Sequence, residues 1–254
     1  MTVWLIGGTT ESKEVAKAIA IAPVITVTTP EAKSLYTDDS LIIVGKMNRQ
    51  AMKQFVRKYQ VSAIVDASHP FAVEVSQNAI VTAKELQLPY LRYERSTVST
   101  HSDRFIQLSS FEELLQGDYL LSKRVLLTIG CKALSLFESW HDRAVLYARV
   151  LPKLESLQIA LDSGFSSDRI IALRPPVSYQ LERALLKQWQ ISTIVTKASG
   201  KSGGEDIKQQ LAQELDIDLI TIARPQVKYP QQTSSLKKVL KFCLRNIGSQ
   251  SAPT

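Results

Sequence analysis

Short apolar runs rich in β-branched and aromatic residues recur along the first hundred positions, at residues 3–6, 24–28, 41–44, 63–65 and 90–93. Between them the apolar positions shift to helical spacing. The clearest case is 48–59, where Asn48 suits an N-cap and Met52, Phe55, Val56 and Tyr59 form one stripe. Strands alternating with helices predict a parallel sheet covered on both faces, because parallel neighbours cannot be joined by a tight turn. From Ser96 to Ser110 the periodicity fails and serine and threonine dominate, which suits a connection better than a packed element. The alternation then resumes, with strands expected at 125–128, 144–149, 170–173, 193–195 and 219–222. Two α/β units are therefore expected, 1–97 and 98–254.

Composition supports that division. A chain of 254 residues with 44% apolar content fills two modest cores. No stretch approaches the roughly 20 apolar residues of a membrane span, and the chain enters a strand without a basic, apolar leader, so a cytoplasmic protein without a membrane partner is expected. Cys131 and Cys243 lie far apart with no second cysteine or histidine at ligand spacing, which suggests neither a disulfide framework nor a metal site. The formal charge of +7 points to nucleic acid until it is mapped. Lys228, Lys237, Lys238, Lys241 and Arg245 all follow Asp218, the last acid. Ser235, then apolar Leu236, Val239, Leu240, Cys243, Leu244 and Ile247, then Gly248, read as a capped amphipathic helix with its lysines in solvent. No nucleic-acid partner is expected, although a basic surface would still gather a polycarboxylate ligand.

Open parallel sheets bind ligands beyond the carboxyl ends of their strands, so the strand-end loops carry the chemistry. The first is Gly7-Gly8-Thr9-Thr10-Glu11-Ser12, paired glycines and hydroxyls at a helix start, where backbone N–H groups can hold a phosphate. It matches the dinucleotide fingerprint only in part, and a plain tight turn is the competing reading. With the alternating pattern, it makes the fold class α/β, two Rossmann-like domains, each a mostly parallel sheet with helices on both faces and a ligand cleft between them. The second loop, Asp66-Ala67-Ser68-His69-Pro70-Phe71-Ala72, gathers a carboxylate, a hydroxyl and an imidazole before a helix. A helix cap and a hydrogen-bonded histidine would use the same residues structurally. Further polar strand ends are Arg92-Tyr93-Glu94-Arg95, Thr128-Ile129-Gly130-Cys131, Arg149-Val150-Leu151-Pro152 and Arg174-Pro175-Pro176. The last loop, Lys197-Ala198-Ser199-Gly200-Lys201-Ser202-Gly203-Gly204, suits carboxylates or phosphates. It is no Walker loop, since no glycine stands five positions before Gly200, where that pattern needs one. Tyr119 and Lys123 match a dehydrogenase spacing by chance, and His101 and His141 lack acidic or cysteine partners at metal spacing.

Taken together these segments resemble the precorrin-6A reductase family of corrin-ring synthesis, including its cobalt-precorrin branch. Gly7 to Ser12 is similar to the family's Gly-Gly-Thr-x-Glu-Ala, and Asp66 to Ala72 to its Asp-Ala-Thr-His-Pro-Phe-Ala. Leu91 to Arg95, Leu127 to Gly130, Arg149 to Pro152, Lys197 to Gly200 and Arg224-Pro225 follow in the family's order. Ser12 replaces alanine, Ala198 replaces asparagine, and Arg174-Pro175-Pro176 replaces a glycine-proline-phenylalanine segment.

The resemblance implies hydride transfer from a nicotinamide cofactor to C19 of a many-carboxylate tetrapyrrole, with a proton added at the adjacent carbon. The cofactor would be held by Gly7, Gly8, Thr9, Thr10, Glu11, Ser12, Asp66, Ser68 and His69. The tetrapyrrole would be held by Arg92, Arg95, Thr128, Gly130, Arg149, Lys197, Ser199, Gly200 and Lys201. His69 and Lys197 become the catalytic candidates, with His69 or a bound water as proton donor and Lys197 as carboxylate-orienting cation. Threonines and Lys33 after the second strand favour NADPH, while Glu31 keeps NADH open. Other corrin-pathway enzymes become candidate partners. The competing readings are another nicotinamide-dependent reductase or epimerase of a small anionic substrate, and a non-enzymatic dinucleotide sensor.

Overall fold

A computed structural model describes residues 1–95, 103–200 and 203–248. The chain divides into two units, Met1–Ser96 with Pro225–Thr254, and Thr97–Arg224.

The sheet of the first unit contains β1 (Thr2–Ile6), β2 (Val24–Val27), β3 (Leu41–Val44), β4 (Val61–Asp66), β5 (Tyr90–Tyr93) and β12 (Gln232–Thr233). Its order is β3-β2-β1-β4-β5-β12, and every pairing is parallel. Alternating side chains divide its core. Val3, Leu5, Ile25, Val27, Val65 and Leu91 pack on one face with α1 (Thr10–Ala18) and α8 (Leu236–Gly248). On the other face, Trp4, Ile6, Val24 and Ile64 pack with α2 (Arg49–Lys58) and α3 (Val73–Glu85). The α2 stripe lies inward as its spacing predicts, with Met52, Phe55 and Val56 buried and the Asn48 side chain accepting the Ala51 N–H at 2.9 Å. Trp4, fully buried, satisfies its indole N–H on the Thr26 hydroxyl at 2.8 Å.

The second unit repeats this plan. Its strands are β6 (Phe105–Leu108), β7 (Arg124–Thr128), β8 (Val145–Val150), β9 (Ile170–Ala172), β10 (Thr193–Lys197) and β11 (Asp218–Ile222), in parallel order β9-β8-β7-β10-β11-β6. Helices α4 (Phe111–Gln116), α5 (Leu154–Asp162), α6 (Tyr179–Gln188) and α7 (Glu205–Glu214) complete it.

Two expectations are corrected. The stretch from Ser96 to Ser110, read as unstructured, contains β6, an edge strand whose side chains are mostly half-exposed and so show no clean alternation. The segment from Pro225, assigned to the second unit, returns to the first: β12 extends that sheet beside β5, and α8 lays Val239 and Cys243, both fully buried, against it. An amphipathic stripe shows that a helix docks, not on which sheet. Lys237, Lys238, Lys241 and Arg245 are exposed on that helix, the solvated face read from sequence.

Candidate active site

In both sheets the strand order reverses direction at one place, between β1 and β4 in the first unit and between β7 and β10 in the second. A doubly wound sheet opens a crevice at such a point, because the crossovers on its two sides leave to opposite faces. The loops after these four strands are the Gly7, Asp66, Thr128 and Lys197 segments named from the sequence. Chain connectivity alone therefore pairs them, two to each unit.

In the first unit, the Thr9 hydroxyl donates to the Ala67 carbonyl at 2.7 Å and ties the two loops together. Thr9 also N-caps α1 through a capping box with Ser12: the Ser12 N–H donates to Thr9 Oγ1 at 3.1 Å, and the Thr9 N–H to Ser12 Oγ at 3.0 Å. Gly8 is exposed, has a φ of +99°, and has nothing within 4 Å of where a Cβ would stand. Thr10 opens the helix and is also exposed. An anion can approach the helix N-terminus here, where the dipole favours negative charge.

Tyr36, which sequence reasoning passed over, underlies this turn. Its hydroxyl accepts the Gly8 N–H at 2.8 Å and lies 2.6 Å from Ser12 Oγ. Burial raises its pKa, although both hydrogen bonds act the other way. The serine that replaces the family's alanine thus has a structural partner. Glu11, on the first turn of α1, lies 4.0 Å from the Arg95 guanidinium, which also pairs with Glu14 and is held protonated by those carboxylates.

Asp66 and Arg92 serve the fold as internal anchors. Both side chains are fully buried and pair at 2.9 Å. Asp66 further accepts the Ser68 N–H at 3.0 Å and the Ser76 and Tyr90 hydroxyls at 2.6 Å each. Arg92 gives its other nitrogens to Glu94 at 2.9 and 2.6 Å, with Tyr229 over its guanidinium. Burial pushes the Arg92 pKa down, but Asp66 and Glu94 outweigh it and hold the group charged. The Ser68 hydroxyl is buried with them and accepts from Arg92 at 3.1 Å. What this network delivers to the crevice is His69, exposed at the end of the loop it anchors. The Phe71 N–H donates to His69 Nδ1 at 3.2 Å, so the neutral ring carries its proton on Nε2.

In the second unit, Thr128 and Thr196 are register partners, and the Thr128 hydroxyl donates to the Val195 carbonyl at 3.1 Å. Gly130 is exposed and N-caps the short helical turns of Cys131–Trp140. Lys197 ends β10 half-buried, its ammonium 5.7 Å from the Phe111 ring centre. Burial lowers its pKa, and Lys132 adds to the effect while Cys131 opposes it.

The loop beyond Lys197 is held at several points. Arg224 donates to the Ala198 carbonyl at 2.8 Å, and the Gly200 N–H donates to Glu205 at 2.7 Å. The buried Lys208 ammonium donates to the Gly203 and Gly204 carbonyls at 2.9 and 3.3 Å. The Gly200 N–H is thereby used inside the loop. Lys201 lies outside the described residues. The Arg149 side chain is 13% exposed and ion-paired to the buried Glu182.

Tyr36, Glu205 and Lys208 are thus the working residues that sequence reasoning missed. Only Glu205 and Lys208 carried a signal, as charged residues on the inward side of α7. Of the rejected candidates, His101 lies outside the described residues, and Lys123 and His141 have structural partners. Lys123 pairs with Asp218 at 2.7 Å, and His141 bonds the Ser163 carbonyl at 2.9 Å while packing on Phe165. Among the described residues no cluster of three or more His, Cys, Asp or Glu could hold a metal, and no helix is long and apolar enough to cross a membrane.

Comparison with known proteins shows the family and the fold. The family model described as precorrin-6x reductase CbiJ/CobK matches residues 2–244. A cobalt-precorrin-6A reductase of Synechocystis sp. is 45% identical, over 98% of each chain. One from Priestia megaterium is 34% identical, over 94% of this chain and 96% of its own. A precorrin-6A reductase of Rhodococcus erythropolis is 28% identical, over 88% of this chain and 89% of its own. A solved CobK precorrin-6A reductase superposes with a TM-score of 0.81 at 23% identity, covering 97% of both chains, and shares the fold.

Proposed function

The chain belongs to the precorrin-6x reductase family of oxidoreductases, and we propose that it reduces cobalt-precorrin-6A with a hydride taken from a nicotinamide coenzyme. The cobalt form is favoured because relatives bearing that name reach 45% and 34% identity, against 28% for those named for the cobalt-free substrate. The observation that carries the site is the matched pair of crossover points. One presents an open glycine turn at a helix N-terminus, the other a half-buried lysine among hydroxyls.

The first unit fits a dinucleotide. Gly8 lets a pyrophosphate reach the backbone, Thr9 and Ser12 fix the turn, and Thr10 opens α1 toward the anion. Glu11, already in the field of Arg95, serves to place that arginine rather than to meet the phosphate. Beyond β2, Thr28, Glu31 and Lys33 are exposed. With hydroxyls at the strand end, no acid before Glu31 and Lys33 close behind it, NADPH is the proposed coenzyme and NADH the alternative.

When bound, the nicotinamide supplies the hydride for C19, so the chain itself needs no nucleophile. Its residues bind, orient and protonate. Lys197 and Ser199 take a substrate carboxylate, where a charge-assisted bond to a half-buried ammonium is stronger than one in open water. Thr128 and Gly130 line the neighbouring strand end. Arg95 offers a second cation, shared with Glu11 and Glu14. His69 carries its proton on Nε2 and is the proposed donor to the carbon beside C19.

A spectrophotometric assay of reduced-coenzyme consumption, with NADPH and NADH each offered precorrin-6A and cobalt-precorrin-6A, tests this reading. Consumption should require a macrocycle and be fastest with NADPH and the cobalt form. A folded protein inactive in all four combinations would rule the proposal out.

A further inference from the structure

Beneath the loop that follows β10 lies a group of charges that the proposed chemistry does not use. Lys208, on the second turn of α7, is 3% exposed. Charged groups face it from three elements: Arg149 from β8, Glu182 from α6, and Glu205 and Asp206 from its own helix. Glu182, 2% exposed, gives one oxygen to Arg149, while its other oxygen is buried without a hydrogen-bond partner. Burying so many charges is expensive, and a lysine of an ordinary helix would lie in solvent. Simple stability gives no reason for placing it there.

The reason lies in what Lys208 holds. Its ammonium donates to the carbonyls of Gly203 and Gly204, the residues that lead into α7. Gly203 in turn sits directly on Ser199, for a Cβ on Gly203 would stand 1.8 Å from Ser199 Oγ. From the other side Glu205 holds the Gly200 N–H, and the Gly203 N–H donates to the Gly200 carbonyl at 3.0 Å. We propose that Lys208 is a positioning residue for substrate binding: by pinning Gly203 and Gly204 it fixes the place of Ser199, and with it the carboxylate site shared with Lys197. This rests on the assignment of that loop to the tetrapyrrole.

The physical consequence is a separation of stability from affinity. Burial lowers the Lys208 pKa to about 8, aided by Arg149 and opposed by Glu182, Glu205 and Asp206. A lysine that unfolds to an ordinary pKa of 10.5 binds a proton more readily when unfolded, so it weakens the fold below pH 8 and relents as the pH rises toward 10.5. Lys208→Met removes that burden and keeps much of the stem's volume. The variant should therefore fold at least as stably at neutral pH. It should nevertheless bind substrate worse, because an unpinned loop is competent only part of the time and apparent affinity falls by that fraction.

The test is steady-state kinetics and amide hydrogen exchange on the full chain and on Lys208→Met. At pH 7 the variant should raise KM for cobalt-precorrin-6A about tenfold, equivalent to a loop ordered about a tenth of the time, and leave the coenzyme KM unchanged. Exchange at Gly203 and Glu205 should quicken in the variant whatever the enzyme's substrate proves to be. Unchanged exchange overturns the positioning role. Faster exchange without any macrocycle-dependent turnover instead removes the functional assignment on which it rests. A substrate KM ratio near one, or an equal rise in both KM values, also overturns it.

Discussion

Replacing Gly7 by alanine perturbs the coenzyme turn at one atom, and the structure names the atom it meets. A Cβ at Gly7 would stand 2.2 Å from the Tyr36 hydroxyl oxygen, with Ile25 Cγ2 at 3.2 Å and Ser12 Oγ at 3.3 Å. The first contact is on the order of 1 Å too short, the other two merely tight. Gly7 does not have a positive φ, so the effect is steric. Overpacking of this kind costs about 1–3 kcal/mol. Pushing the Tyr36 ring aside also breaks its hydroxyl's bonds to Gly8 and Ser12, at about 1 kcal/mol each. A total of about 3–5 kcal/mol is expected for Gly7→Ala. Tyr36→Phe alone should cost about 2 kcal/mol, through the same two bonds. Because both variants lose those bonds, the double variant should be less destabilised than the sum by about 1–2 kcal/mol. Urea unfolding followed by circular dichroism measures the cycle, and a fluorescence titration with NADPH shows whether coenzyme affinity falls alongside. Additive costs would refute the reasoning, since they would mean that the Tyr36 hydroxyl is not what Gly7 makes room for.

Arg92→Met should destabilise the first unit by about 3–5 kcal/mol by leaving the Asp66 carboxylate buried and uncompensated, and adding Asp66→Asn should recover part of the loss; denaturant midpoints of the three variants decide it. Val239→Asp places a carboxylate on the sheet-facing side of α8, and hydrogen exchange should show protection lost from β1, β4 and β5 and kept in β7 and β10; loss confined to the second unit would contradict the pairing of α8 with the first. Lys197→Ala should raise KM for the tetrapyrrole about tenfold or more while sparing the coenzyme, and the gap should narrow at high salt. Because burial lowers the Lys197 pKa, its charged form prevails at low pH and is lost as pH rises toward a value below the usual 10.5. Wild-type substrate affinity should therefore weaken on the alkaline side, and the alanine variant should lack that limb of the profile.

The sheets were legible because strand and helix periods alternate cleanly wherever one side of an element is buried. Residues 41–44 and 90–93 were bounded correctly, and 63–65 only lost its ends. Edges were harder. β6 is half-exposed and β12 has two residues, so neither offers a pattern long enough to repeat. The return of α8 to the first sheet depends on tertiary packing that no local period encodes. At the site, strand-end position marked the loops that lie at the two crossover points. It could not separate residues that face a ligand from residues that hold the loop. Asp66, Arg92 and Arg149 have the chemistry of binding groups, and only their burial and mutual pairing show them to be anchors. Tyr36 was invisible because a tyrosine after an unremarkable turn carries no signal until its hydroxyl is seen under Gly8.

The central claim is that a hydride passes from nicotinamide C4 to C19 of the macrocycle. Coenzyme deuterated at both C4 positions, incubated with the enzyme and cobalt-precorrin-6A, allows that transfer to be followed by mass spectrometry and NMR of the product. The account predicts a single deuterium, located at C19. Coenzyme oxidation that leaves the macrocycle unlabelled, or a label at any other carbon, would contradict it.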